Sequence, residues 1–303
     1  MRKRHCVRLD YHLAIELAGA RLDVTPGLWK KAGSVSAFPA RCSRNEPGSR
    51  YRLVCEDGQN SMDSETLQSH IKLIGDVIAL AAKDESLVRC RHELAQFSSE
   101  HFLAAGTELH VLGHIIGSDR ADGVSPFGHG SDETVAVSVL LRIASQLISA
   151  SADLFADGRQ YAAAALLRQM VEIEYLAWAF ETRDGDGERW LRSDRHQRQS
   201  FFQPAKLRKA AQGKFRGKDY GYHCELGGHP VPKSGVLLDD DTTVSQLLLA
   251  DLLGHVGRIW DHLVGWARTN QNGGPILKRG QVMSDRFNAW KLNDPMVDVP
   301  PPP

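Results

Sequence analysis

The sequence is short of the features that assign a chain quickly. It has no excess charge, with 37 Lys and Arg against 37 Asp and Glu in 303 residues, so the overall balance does not steer it to nucleic acid or an acidic membrane. No apolar run approaches the ~18–20 residues of a bilayer span. The opening "MRKRHCVRLDYHLAIELAGA" carries charges inside its hydrophobic stretch and makes a poor signal peptide. The five cysteines, Cys6, Cys42, Cys55, Cys90 and Cys224, are odd in number, widely spaced and without a C-x-x-C pair. That pattern fits free thiols in a reducing compartment, and a cytoplasmic protein with no membrane partner is expected. Gly-rich phosphate loops, G-x-S-x-G elbows and dinucleotide fingerprints are missing. So are paired metal motifs such as H-E-x-x-H, and neither a metal nor a cofactor is expected.

Strand-type alternation and internal repeats are missing too, and helical periodicity fills the space: the fold class is all-α, an antiparallel helical bundle. Residues 1–61 hold about 11 Lys/Arg against about 6 Asp/Glu. They contain loop-forming runs such as "RNEPGS" and read as a poorly ordered extension, or even an over-extended reading frame. Residues 62–115 give two helices packing on the bundle, the first capped by Asp63 or Ser64. The bundle itself spans 131–270. "SDETVAVSVLLRIASQLISASADLFADG" runs from a Ser131 cap to a stop at Gly158, and "RQYAAAALLRQMVEIEYLAWAFETRDGDG" follows almost at once as its antiparallel neighbour. A polar loop around "DGDGERWLRSDRHQRQS" and a short helix opened by Pro204 lead to the last long helix, with Leu248, Leu252, Val256, Ile259, Leu263 and Trp266 on one face. Residues 271–303, ending "VDVPPPP", read as an irregular tail, disordered at its end.

Chemistry is sought first at Arg168 and Glu172, one turn apart in an otherwise apolar helix. On a helical wheel they lie about 40° apart, within an apolar face. Burying two charges costs several kcal/mol per ion, so stability alone does not account for the pair. It either ties a neighbouring element through the hydroxyls of Tyr220 or Tyr222, or lines a site in which Arg168 offers its fork to a phosphate or carboxylate. The segment "YGYHCELGGHP" crowds His223, Cys224, Glu225 and His229 together, and His229, fixed by Pro230, suits a general base. The catalytic candidates are therefore Arg168, Glu172 and His229, with Tyr220, Tyr222 and Glu225 as substrate-binding candidates. The stripe Asp251, His255, Arg258 and His262 reads as the solvated edge of the last helix.

"YAAAALLRQMVEIEYLAWAF" followed by "YGYHCELGGHP" resembles a set of bacterial helical-bundle proteins with an R-x-x-x-E helix and a later Tyr…Cys-Glu…His-Pro segment. That set is similar to the HEPN superfamily, and the resemblance covers roughly residues 131–270. It implies RNA or nucleotide binding, metal-independent ribonuclease chemistry, and a toxin–antitoxin or phage-defence setting. In that chemistry His229 would deprotonate a 2′-hydroxyl while Arg168 stabilises charge on phosphorus. The superfamily's nuclease motif spaces an arginine and a histidine by four to six residues; Arg258-x-x-x-His262 is one residue short, and Arg189 to His196 fits the spacing in an arginine-rich loop. The alternative is a non-catalytic scaffold that joins a protein partner or a second copy.

Overall fold

The computed structural model describes residues 64–115, 131–215, 217–239 and 241–297, so the expected extension over 1–61 lies outside them. Helix α1 (Ser64–Lys83) and helix α2 (Glu85–His110) are divided by Asp84, whose carboxylate accepts from the amides of Ser86 and Leu87 and restarts the chain as a new helix. Helix α3 (Asp132–Ala156) opens on Ser131, which accepts from the Thr134 amide. Gly158 in the left-handed region (φ 73°) turns the chain into helix α4 (Gln160–Thr182), giving the expected hairpin.

Direction follows from paired side chains. Ser99 donates to the Ser145 carbonyl and Ser138 to the Gly106 carbonyl, so α2 and α3 run antiparallel. Gly106 makes that crossing close, since a Cβ there would lie 2.9 Å from Arg142 Cγ. The long helix α9 (Thr242–Thr269) instead runs parallel to α4. Gln160 bonds the Asp241 carbonyl, Glu174 meets His255 and Glu181 meets His262, each pair 81 residues apart. A parallel neighbour needs a crossover, and residues 183–241 supply it.

That crossover is more ordered than a polar loop. It holds α5 (Asp186–Arg192), α6 (Arg195–Gln197), α7 (Pro204–Ala210) and α8 (Gly217–His223), with π turns at Arg198–Phe202 and Cys224–Gly228. Residues 271–303 also depart from expectation, because Gly274–Asn293 forms helix α10. Its Ile276, Met283, Phe287 and Trp290 are buried against the bundle. Phe287 fits over Gly257 of α9, where a Cβ would lie 3.2 Å from its ring.

No strand occurs among the described residues, and the core is helix on helix. The six expected apolar residues of α9 are all buried. Among the described residues α3 is the one helix long and apolar enough to suit a bilayer, and 61% of that apolar window is buried inside the fold. The deepest ion pair joins Arg91 and Asp294: Nε and Nη2 donate to the two carboxylate oxygens at 2.6 and 2.8 Å. Gln246 and the Ala81 carbonyl take Nη1, and Trp290 donates to Asp294, so one node ties α1, α2, α9 and the end of α10.

Candidate functional site

Helix α4 carries polar groups on two sides. On one side Arg168 Nη2 donates to Glu172 Oε1 at 2.8 Å and to the Tyr220 hydroxyl at 3.0 Å, while Tyr220 donates to the same Glu172 oxygen at 3.0 Å. The closed triangle fixes the guanidinium. Burial works against the charge of Arg168, but bonds to Tyr220 and Cys224 and the charge of Glu172 outweigh it and raise its pKa. Burial and the Glu172 charge push the Tyr220 phenol up to about 12, against the pull of the Arg168 bond. The pair is only half-buried, with 28% and 35% of the two side chains exposed, so it is not the interior ion pair that the helical wheel implied.

The π turn after α8 presses on this helix through two glycines. A Cβ on Gly227 would lie 2.4 Å from the Ala164 and Ala165 backbone, and one on Gly228 would lie 2.8 Å from Arg168 Cδ. At Gly227, where the neighbour is backbone, that approach requires glycine. His229 follows immediately, exposed, with its carbonyl accepting from the Val231 amide. The structure thus joins Arg168, Glu172 and Tyr220 and leaves the exposed His229 out of that triangle, one residue after the Gly228 that abuts Arg168. Tyr222 is buried with its ring 5.2 Å from that of His223, and Glu225 pairs with Lys233 at the surface.

The other side of α4 holds a second polar cluster. Glu174 is buried and accepts from Arg258 Nε at 2.9 and 3.0 Å, and its Oε2 lies 2.6 Å from His255 Nδ1. Burial would raise its pKa, but the Arg258 charge and the His255 contact hold it down to about 2. His255 Nδ1 stands between that carboxylate, at 2.6 Å, and the donor Arg258 Nη2, at 2.8 Å; a neutral ring that donates from Nδ1 to Glu174 presents a lone pair at Nε2. That atom lies 3.4 Å from His223 Nε2 and 3.7 Å from Asp251 Oδ1, and His223 Nε2 lies 3.4 Å from Asp251 Oδ2. The stripe Asp251, His255, Arg258 and His262 is therefore not a solvated edge: both histidines are buried, and His262 bonds Glu181. Arg258 and His262, the near match to a nuclease spacing, are each committed to a glutamate of α4.

The crossover adds a third feature. Between residues 189 and 218 stand ten Lys and Arg and one acidic residue, Asp194. Arg195, Arg198, Lys206, Lys209 and Lys214 are exposed, and none of them forms an ion pair among the described residues. Arg189 stacks over the exposed ring of Phe201, its Cζ 4.2 Å from the centroid. Arg208 lies over the Tyr220 ring at 5.1 Å and links this basic surface to the Arg168 triangle. A windowed charge count would have found it; the neutral total concealed it.

The sequence matches no protein-family model, and no curated protein or solved structure matches it at a significant level.

Proposed function

We propose that the protein binds single-stranded RNA along the basic crossover, with the Arg168–Glu172–Tyr220 triangle at its inner end. The observation that carries this reading is the set of exposed Lys and Arg without ion pairs beside an arginine-stacked Phe201. Charge of one sign on one segment follows a phosphate backbone, and an exposed ring offers an unpaired base a stacking face. The resemblance to the HEPN superfamily supports the same ligand class.

The test is binding of a labelled single-stranded oligonucleotide over a range of salt. Engagement of the five exposed cations gives a slope of about −3.5 in log K against log salt. The triple variant Arg195→Glu, Arg198→Glu, Lys209→Glu is expected to flatten that slope and weaken binding at least tenfold. An affinity indifferent to salt, or to these three changes, refutes the reading. Incubation with RNA in chelator, comparing wild type with Arg168→Ala and His229→Ala, asks separately whether bound RNA is cut. An interaction role has its own observation: Leu73, Val77 and Leu80 lie exposed at helical spacing along α1. Light scattering of wild type and Leu73→Glu at several concentrations tests self-association through that stripe.

A further inference from the structure

We propose that His223, Asp251 and His255 bind one divalent transition-metal ion, zinc foremost, in a tetrahedral site whose fourth position faces water or a small ligand. The three side chains each present one ligand atom, all within 4.8 Å of one another. Zinc bonds to imidazole nitrogen and carboxylate oxygen are about 2.0–2.1 Å long, which sets the edge of a tetrahedron at about 3.3–3.4 Å. The two imidazole Nε2 atoms stand 3.4 Å apart, and Asp251 reaches each with a different oxygen, Oδ2 3.4 Å from His223 and Oδ1 3.7 Å from His255. An octahedral ion with bonds of about 2.1 Å would want edges near 3.0 Å, so the spacing favours the tetrahedral case.

The surroundings are those of a ligand set. Asp251 and His255 lie one turn apart on one face of α9, and His223 arrives from the end of α8. Asp251 Oδ2 is buried without a hydrogen-bond partner, an oxygen that a cation would satisfy. Glu174 Oε2 lies 2.6 Å from His255 Nδ1, so a neutral His255 that donates there turns its Nε2 lone pair to the other two groups; Arg258 holds Glu174 and also reaches Nδ1, at 2.8 Å. A carboxylate behind a metal-binding histidine sets its tautomer and raises its basicity. Two nitrogens and one oxygen with an open position suit zinc rather than magnesium or calcium, which take all-oxygen shells.

The experiment uses the full chain, stripped with chelator and titrated with Zn(II), Co(II) or Mg(II). Expected are one zinc per chain by elemental analysis, a zinc-dependent rise in Tm that chelator reverses, and the intense visible bands of tetrahedral Co(II). Glu174→Gln should weaken zinc binding about 10–100-fold, and Asp251→Asn, which removes the negative charge of a direct ligand, by more. Circular dichroism of Asp251→Asn verifies that the variant folds, and His223→Gln provides a second variant if it does not. Absence of both the cobalt bands and the zinc-dependent Tm shift in the wild type overturns the proposal. So does an unchanged zinc affinity in a folded ligand variant, or an equal response to magnesium.

Discussion

Two arginine–carboxylate pairs in this protein differ in what surrounds them, and their energetics should differ accordingly. Arg91 and Asp294 are sealed from water, bidentate, and bonded further to Gln246 and Trp290. Removing one partner leaves a buried charge, so Asp294→Ala is expected to cost about 3–5 kcal/mol, read as a lower urea midpoint. Arg168 and Glu172 keep about a third of each side chain in water. Solvent screening reduces what that pair is worth, and Glu172→Ala should cost no more than about 1 kcal/mol. If the two variants lose equal stability, this ranking by burial is wrong. The sequence pointed to the wrong pair for a physical reason: i,i+4 spacing on an apolar helix is visible locally, whereas Arg91 and Asp294 stand 203 residues apart. Glu174 was missed likewise, as a lone charge whose partners arrive from α9.

Elements were more legible than contacts. The cap at Ser131, the Gly158 turn and the Pro204 start are local signals, and each sits where it was expected. Helix α10 was misread because its apolar stripe is narrow and the segments on either side of it are rich in polar residues and proline; yet Ile276, Met283, Phe287 and Trp290 recur at helical spacing behind Pro275 at the first turn. In the crossover, runs of Asp, Gly and Arg look like loop, and only contact with α3 and α4 makes them helix. The π turn at Cys224–Gly228 gives a test at this scale. Gly227→Ala would drive a methyl group into the α4 backbone and is expected to cost about 2 kcal/mol. Gly228→Ala would meet only the flexible Arg168 stem, leaving stability nearly unchanged while displacing the guanidinium and weakening RNA binding. Thermal unfolding and the oligonucleotide titration separate the two.

For the molecule as a whole, the low pKa of Glu174 couples stability to acid. Its carboxyl ionises at about 2 when folded against an ordinary 4.5, so between those values the unfolded chain binds the extra proton. The stabilisation is complete above pH 4.5 and is lost as pH falls through about 2. Urea unfolding across that window should show stability falling with acid, and Glu174→Gln should reduce the slope. The parallel seating of α4 and α9 has a consequence in time. The α3–α4 hairpin needs only a three-residue turn, while α9 must wait for some eighty residues of chain to close a loop. During refolding, amides of α3 and α4 should therefore gain protection from hydrogen exchange before those of α9, and both Glu174 and Glu181 should meet their histidines only in the last step.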